Sequence, residues 1–336
     1  ILEVTLFNGI NPVTGKKVGI ETGDPRNFKS YEELYDAFHT QLKYIIDLKI
    51  KINNYIDRMF AKYAPATFLS VIIDDCIKKG KDYYNGGPRY NTTYIQCTGI
   101  GTITDSLSAL KKHVFEDKSI SMDSMLNAVS KNFEGEEVLR QRILNNTPFF
   151  GNDDDYADDI AVRVYEDLFK LIDGRPNGKE GGKYHLNMLS TTCHNYFGNI
   201  MGAMPNGRLA CKAISDGTSP SHGCDTHGPT AVMRSLAKLD QVKSGGTLLN
   251  LRFLPSLLKR DEDVAKLGKL IRFYFSQGGH HVQFNIVDTA TLIAARENPE
   301  EYKDLLVRMA GYSDYFNDMN DNLKQEVIER TENESF

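Results

Sequence analysis

The sequence predicts an α/β fold, and two observations support this prediction. In the C-terminal half, patterned stretches follow the order strand, helix, strand with short connections, at residues 247–253, 261–276 and 281–287. This order is typical of parallel sheets that are covered by helices. Forty per cent of the 336 residues are hydrophobic, which is enough for the packed core of one large domain or of two.

The first elements are an apolar opening and a long helix. Residues 1–7 are apolar and lead into turn signals at residues 8–15. Ser30 and Glu33 match a capping box, in which the serine hydroxyl accepts from the Glu33 amide and the glutamate reaches back. A near-helical apolar spacing then predicts a helix from about residue 31 to the high fifties. Its apolar positions are Leu34, Phe38, Leu42, Ile45, Ile46, Ile50 and Ile52.

Helices and short strands alternate along the middle of the chain. Residues 68–77 predict a helix that continues into the polar residues 78–81. A β-branched strand at residues 92–96 leads through a glycine-containing connection into a helix from residue 102, and residues 116–150 are charged and mostly helical. The buried side of the helix from residue 102 is expected to consist of Leu107, Leu110 and Val114.

A further helix and strand follow. The acidic residues 152–155 favour a helix N-terminus, and an apolar pattern that reaches Leu171 follows them. Residues 174–182 are rich in glycine, proline and asparagine and predict a loop before a strand at residues 184–189. Cys193 and His194 are adjacent and would point to opposite faces of a strand, so we expect no nucleophile and base pair there.

Glycine and proline are dense between residues 202 and 230, which predicts ordered loops before a helix at residues 232–239. An irregular stretch of this length is uncommon inside a compact domain unless it is functional. We therefore expect functional loops in this part of the chain.

The stretch Arg308-Met309-Ala310-Gly311-Tyr312 organises the C-terminal part. By itself it predicts a strand that ends in a turn. It resembles the glycyl-radical motif of the pyruvate formate-lyase-like enzymes, whose usual form is R-V-A-G-[YF]. A radical on a glycine Cα can delocalise toward the electron-donating amide nitrogen and the electron-withdrawing carbonyl, and glycine reaches backbone shapes that other residues cannot.

Other blocks of the sequence resemble the same family in the same order. They are Pro205–Arg208, Asp216–Pro220, Gly228–Ala231, Gly245–Asn250, Gly278–Asn285, Gln325–Ile328 and Arg330–Glu332. The blocks Glu21–Phe28 and Asn152–Asp158 are most similar to the dehydratase and C–X lyase branch of the family. The resemblance covers the whole chain.

This resemblance implies the fold in more detail. Members of the family have a ten-stranded α/β barrel with two central loops, one bearing a cysteine and the other the glycine. The chain would supply the C-terminal half of such a barrel and the glycyl-radical loop. We expect residues 1–213 to be the C-terminal part of the barrel domain and residues 214–336 to be the glycine radical domain.

The resemblance also implies the chemistry and the partners. A radical S-adenosylmethionine activase with an iron–sulfur cluster would remove a hydrogen atom from Gly311, so the radical is a post-translational modification and no cofactor stays bound. Arg308 and Tyr312 would support the radical loop, and Thr247 and Phe284 are candidates for the lining of a pocket for a small polar substrate. To reach the activase the loop must leave the barrel, so residues from about 296 onward should be packed less tightly than the core. Family members are commonly homodimers.

One family feature is absent from the sequence. The thiyl cysteine of the family lies in a G-C-x-E context, and none of the cysteines here is followed by x-Glu; they are Cys76, Cys97, Cys193, Cys211 and Cys224. We therefore expect that this cysteine and the general base belong to a missing N-terminal portion. The chain alone should then be inactive, whereas the whole enzyme would be a dehydratase or lyase.

Two alternatives stay open. The chain could belong to a formate C-acetyltransferase or to a glycyl radical decarboxylase, because the residues that separate these reactions would lie in the missing portion. It could also be a radical-carrying partner subunit without chemistry of its own.

Composition argues against other classes of function. The net charge is −5, from 40 basic and 45 acidic residues, and there is no dense basic stripe that nucleic acid would require. No apolar run approaches the ~20 residues that span a bilayer. The cysteines are odd in number and widely spaced, which favours reduced thiols in a cytoplasm. His280 and His281 are adjacent and would diverge on a strand, so we expect no metal site.

Overall fold

The structure is a computed structural model that describes residues 1–335. Its α-helices are α1 (Leu2–Leu6), α2 (Tyr31–Tyr63), α3 (Thr67–Ile72), α4 (Cys76–Lys79), α5 (Ile100–Ala109), α6 (Met122–Ser130), α7 (Glu137–Asn146), α8 (Asp155–Ile172), α9 (Cys193–Ile200), α10 (Pro229–Ala237), α11 (Asp261–Ser276), α12 (Thr289–Glu297) and α13 (Asp321–Glu329). Its strands are β1 (Thr92–Gln96), β2 (Lys183–Asn187), β3 (Leu248–Phe253), β4 (His281–Ile286), β5 (Leu306–Arg308), β6 (Ser313–Tyr315) and β7 (Glu332–Asn333). A π-helix, Leu110–Glu116, continues α5, and short 3₁₀ helices lie at Pro25–Asn27, Tyr83–Asn85, Gln241–Lys243, Pro255–Leu258, Pro299–Tyr302 and Phe316–Asp318.

Parallel strands confirm the α/β prediction. β1 pairs with β2, and β3 lies between β4 and β7, all in parallel. A parallel bridge between Leu186 and Ser244 connects the end of β2 to the residues that precede β3. Every residue of β3 is buried, as expected for a central parallel strand that is covered on both faces.

Two apolar clusters hold the molecule together. The main core combines α2, α5, α8, α10 and α11 with the parallel strands. A second cluster is formed by Val287, Leu292, Ala295, Val307, Met309, Phe316, Met319 and Val327, and we call residues 287–328, which enclose it, the C-terminal unit. β5 and β6 form an antiparallel hairpin in this unit, so the motif around Gly311 is built on a small core of its own.

Several predicted elements are confirmed closely. α11 and β1 have the predicted bounds, and α2 begins at the predicted cap, where Glu33 N–H donates to Ser30 Oγ at 3.3 Å. The Glu33 carboxylate reaches back to the N–H of Lys29 at 2.8 Å, one residue earlier than in a standard capping box. Residues 201–228 contain no helix or strand in the described structure, in agreement with the predicted loops.

Three local predictions were wrong. The helix predicted from residue 68 is interrupted, because Asp75 adopts a left-handed φ of 74° before α4 begins. The π-helix after α5 adds a residue to its turn, so His113 is buried and Val114 is only half-buried. Cys193 and His194 open α9 and do not lie on a strand.

Among residues 1–335, no helix combines the length and the apolar character that crossing a bilayer requires.

Candidate active site

Gly311 lies at the tip of the hairpin formed by β5 and β6. Arg308 is paired with Ser313, and the N–H of Met309 donates to the carbonyl of Tyr312 at 2.9 Å to close the turn. The φ of Gly311 is 82°, in the left-handed region that favours glycine. Among the described residues, no heavy atom beyond the adjacent residues lies within 4 Å of the place where a Cβ would stand. Glycine is therefore required here by backbone conformation and not by crowding.

Both peptide groups that flank the Gly311 Cα are held by side chains. The Gly311 N–H donates to Gln283 Oε1 at 2.9 Å. The Gly311 carbonyl accepts from Arg308 Nη2 at 3.0 Å, and the same guanidinium reaches Ser313 Oγ at 3.3 Å. The turn is thus fixed by polar contacts on either side of the Cα.

β4 carries the side chains that bind this turn. Gln283 and Asn285 are two residues apart on the strand, so they point to the same face. Gln283 Nε2 donates to the Met309 carbonyl at 2.6 Å, and Asn285 Nδ2 donates to the Arg308 carbonyl at 2.9 Å. Asn285 Oδ1 also accepts from the Arg308 N–H at 2.7 Å. The two amides therefore hold the hairpin backbone from Arg308 to Gly311.

The structure places the other sequence-predicted residues at different depths. The Tyr312 side chain is 43% exposed beside Gly311. Thr247 is fully buried and donates to Gln241 Oε1 at 2.7 Å. Phe284 is next to Gln283 on β4 and points to the opposite face, where its ring centroid lies 5.8 Å from that of Phe253. Phe284 thus packs against the main core and Thr247 is bound to Gln241, and the role of both residues in a pocket stays a prediction.

A cluster of buried charged groups lies behind the turn. Glu326 on α13 forms a two-point ion pair with Arg330, at 2.8 Å to Nε and 3.1 Å to Nη2. His222 Nε2 lies 3.2 Å from Glu326 and 3.6 Å from Asp216, and His194 Nε2 lies 3.5 Å from Glu326. Neither of these Nε2 atoms has the alignment of a good hydrogen bond.

Mutual charge outweighs burial in this cluster. Burial alone would favour the neutral form of each group, but His222 and the charge of Arg330 lower the pKa of Asp216 to about 2. Burial also opposes the charge of His222, yet Asp216 and Glu326 raise its pKa to about 10. The pKa of Glu326 is well below its usual value, because the charge of Arg330 and the two histidines overcome its burial. The cluster is thus held in its ionised form.

The same cluster contains the one group of potential metal ligands among residues 1–335. Ligand atoms of Asp216, His222 and Glu326 lie within 4.8 Å of one another. However, the Arg330 guanidinium already neutralises Glu326 at hydrogen-bond distance and would repel a cation. We therefore interpret the group as a buried ion-pair cluster.

Sequence reasoning assigned no role to Gln283, Asn285, His222, Glu326 or Arg330. A signal was present for two of them, because polar residues at alternate positions of a predicted strand indicate a polar face. Glu326 and Arg330 are only four residues apart, but His222 lies far from both in the sequence, and only the folded chain brings it to them.

Comparisons with known proteins agree with this geometry. The pyruvate formate lyase-like family matches residues 1–198, and the glycine radical family matches residues 214–317. The chain is 54% identical over 332 residues to trans-4-hydroxy-L-proline dehydratase of Clostridioides difficile, covering 99% of this chain and 42% of that protein. It is 37% identical to isethionate sulfite-lyase of Oleidesulfovibrio alaskensis, covering 100% of this chain and 41% of that protein.

A solved structure shares the fold. The hydroxyproline dehydratase of Clostridioides difficile, solved with trans-4-hydroxy-L-proline bound, superposes with a TM-score of 0.96 at 53% identity and covers 99% of this chain. The chain spans 42% of the length of that structure. The predicted fold, part of a pyruvate formate-lyase-type α/β barrel with a C-terminal glycine loop, is therefore confirmed. The chain belongs to the pyruvate formate lyase-like family of glycyl radical enzymes.

Proposed function

We propose that this chain is the C-terminal part of a glycyl radical enzyme in which Gly311 stores the radical. One observation carries the proposal: Gly311 occupies a left-handed turn whose two flanking peptide groups are bound by Gln283 and Arg308. A hydrogen atom leaves the Cα to a radical S-adenosylmethionine activase, and the radical later passes to a cysteine outside this chain. Arg308 and Tyr312 support the loop.

The proposed reaction is elimination from a small polar substrate. Relatives named as a trans-4-hydroxy-L-proline dehydratase and an isethionate sulfite-lyase support this class, because each name describes loss of a group from a small polar molecule. At 54% identity over nearly the whole chain, trans-4-hydroxy-L-proline is the first substrate to test. Thr247 and Phe284 remain candidates for the lining of its pocket, and the general base would lie outside this chain.

We further propose a division of the chain at residues 213 and 214, into a barrel part and a glycine radical domain. The two family matches, which end at residue 198 and begin at residue 214, support this division. The complete enzyme would be cytoplasmic and homodimeric, and it would need its activase as a transient partner.

Anaerobic electron paramagnetic resonance tests the radical store. The complete enzyme is treated with its activase and S-adenosylmethionine, beside a Gly311→Ala control. A doublet from coupling to the remaining Cα hydrogen, absent from the control, is the expected result. No signal, with an activase that works on another family member, would overturn the proposal.

Exposure to air gives a second test of the same site. Oxygen should cleave the activated protein at Gly311 and release the segment that follows it, which begins at Tyr312. An activated sample whose intact mass stays unchanged in air would count against Gly311. Product analysis with trans-4-hydroxy-L-proline and isethionate then separates a dehydratase from a lyase. Turnover of neither by a radical-loaded sample would leave a formate C-acetyltransferase, a glycyl radical decarboxylase and a radical-carrying subunit as the alternatives.

A further inference from the structure

A line of buried polar side chains runs from Asp216 to Gly311. Asn250 and Gln283 are opposite each other in the register of β3 and β4, so their side chains are neighbours on one face. Asn250 Nδ2 donates to Asp216 Oδ2, and Gln283 Nε2 donates to Asn250 Oδ1. Gln283 Oε1 then accepts the N–H of Gly311 at 2.9 Å. Asp216, Asn250 and Gln283 are 1%, 9% and 6% exposed, so water has little access to the line.

The chemistry of Asp216, Asn250 and Gln283 determines which group donates and which accepts in each hydrogen bond of this line. A carboxylate can only accept hydrogen bonds, whereas a side-chain amide can present either its oxygen or its NH₂ group. The ionised Asp216 therefore requires Asn250 to turn its NH₂ toward it and its oxygen toward Gln283. Gln283 in turn directs its NH₂ toward Asn250 and Met309, and its oxygen toward the Gly311 N–H.

The charged cluster keeps the first member of the line ionised and fixed. Asp216 Oδ2 accepts from Ser219 Oγ at 3.3 Å, and its Oδ1 lies 3.6 Å from His222 Nε2. Arg330, which also balances the charge of this cluster, donates to the Arg308 carbonyl at 3.2 Å. The backbone that leads into Gly311 is thus connected to the cluster at two points, the Arg308 carbonyl and the Gly311 N–H.

We propose that Asp216, Asn250 and Gln283 form an orientation relay that sets the hydrogen bond to the Gly311 amide and thereby stabilises the Cα radical. Gln283 is the positioning residue at its end, and Asp216 acts through the two amides. This inference rests on the proposed radical store. Gln283 Oε1 accepts a hydrogen bond from the Gly311 N–H, which polarises that bond and increases the electron density on the nitrogen. The nitrogen in turn donates electron density to the Cα radical. The Arg308 guanidinium polarises the Gly311 carbonyl, which withdraws electron density from the radical. Both contacts therefore favour delocalisation of the radical from the nitrogen toward the carbonyl.

The test uses the complete enzyme, activated anaerobically, and three variants that break the relay at different points. Asp216→Asn removes the carboxylate, Asn250→Ser removes the middle amide without changing a charge, and Gln283→Met removes the acceptor while keeping the length of the side chain. Asp225→Asn is the matched control. Asp225 is a buried carboxyl on the same loop that accepts a hydrogen bond from Thr331, and no hydrogen bond joins its side chain to a relay residue within the described structure.

The decisive readout is the coupling of the radical to the exchangeable Gly311 N–H hydrogen, measured by electron–nuclear double resonance. This coupling is read per spin, so a lower radical yield does not by itself change it. The three relay variants should shift the coupling away from the wild-type value, and Asp225→Asn should not. In the relay variants, the plateau ratio of radical-bearing to unactivated protein should also fall by about tenfold. A tenfold change corresponds to about 1.4 kcal/mol, which is comparable with the net contribution of one hydrogen bond.

The outcomes separate the two proposals. A wild-type enzyme without a radical overturns the proposed function itself. A wild-type radical with unchanged coupling in Gln283→Met overturns the role of Gln283. A shift in Gln283→Met alone, with Asn250→Ser unchanged, overturns the relay, and Asn250→Ser keeps this test decisive if Asp216→Asn does not fold.

Discussion

Replacing Glu326 by glutamine should loosen the C-terminal unit while leaving the main core intact. Glu326 lies on α13, inside residues 287–328, and is 1% exposed. Its carboxylate contacts Arg330, His222 and His194, and all three of these residues lie outside the unit. The change removes one charge and keeps the shape of the side chain.

The magnitude follows from the charges that remain. Asp216 and Glu326 balance Arg330 and the imidazolium of His222, so removing Glu326 leaves one uncompensated buried positive charge. Removing one partner of a buried ion pair costs about 3–5 kcal/mol. Because His222 can release its proton in response, we expect the lower end, about 3 kcal/mol.

Glu329→Gln is the matched control on the same helix. Glu329 forms a partly exposed ion pair with Lys212 at 2.7 Å, and pairs of this kind contribute about 0–1 kcal/mol. Native-state amide hydrogen exchange reports the two effects separately along the chain. In Glu326→Gln, exchange in β5, β6 and α13 should accelerate by about a hundredfold, which corresponds to about 3 kcal/mol. In Glu329→Gln it should change by less than about fivefold.

Two results would refute this reasoning. Equal acceleration in both variants would mean that the buried ion pairs do not hold the unit. Acceleration that is uniform through α8 and the rest of the main core would mean that residues 287–328 do not open separately from it.

Three further predictions concern stability. Burial raises the pKa of Asp105 to about 7, so its carboxyl keeps a proton between pH 4 and pH 7 only in the folded state. As pH rises through that window, ionisation of this group should lower the free energy of unfolding by about 4 kcal/mol. Urea unfolding at a series of pH values measures this dependence, and Asp105→Asn should remove the part that Asp105 contributes. An unchanged pH dependence in the variant would contradict the assignment. Lys238→Met should cost about 3 kcal/mol in denaturant unfolding, because Lys238 Nζ lies 2.7 Å from the fully buried Asp158, whereas the exposed Arg234→Met should cost less than about 1 kcal/mol. Phe316→Ala should destabilise the C-terminal unit by about 3–5 kcal/mol because of the cavity that the substitution leaves. Limited proteolysis within residues 287–328 should then be faster than in the wild type. If the variant is cleaved at the wild-type rate, the result argues against a separate core.

Elements with strong local signals were predicted well. α11 and β1 were predicted with their observed bounds, because helical and β-branched patterns and flanking turn residues are local properties. The breaks at Asp75 and in the π-helix Leu110–Glu116 were not predicted. Both are departures from regular α-helical geometry, and local apolar spacing does not contain that information.

The candidate site divides in the same way. The motif around Gly311 was found in the sequence because a contiguous segment carries it, and its predicted turn lies between β5 and β6. Gln283 was visible within a family block, but its hydrogen bond to the Gly311 N–H was not, because 28 residues separate the two. For Phe284, the sequence predicted the position on β4. It did not predict which face of the sheet the ring occupies, because that depends on the pairing of β4 with β3.

By itself, the sequence determined the α/β class, the family resemblance and the glycine that would carry a radical, because local patterning and a contiguous motif are sufficient for each. The tertiary structure decided that Asp216, Asn250 and Gln283 meet in one buried line, and that Glu326 closes an ion-pair cluster with His222 and Arg330. Except for Glu326 and Arg330, which are four residues apart, these contacts join residues from loops, strands and helices that are far apart in sequence. Folding removes these carboxylates and amides from water, so each of them then needs a hydrogen-bond or ionic partner within the protein. The identity of that partner depends on the tertiary structure.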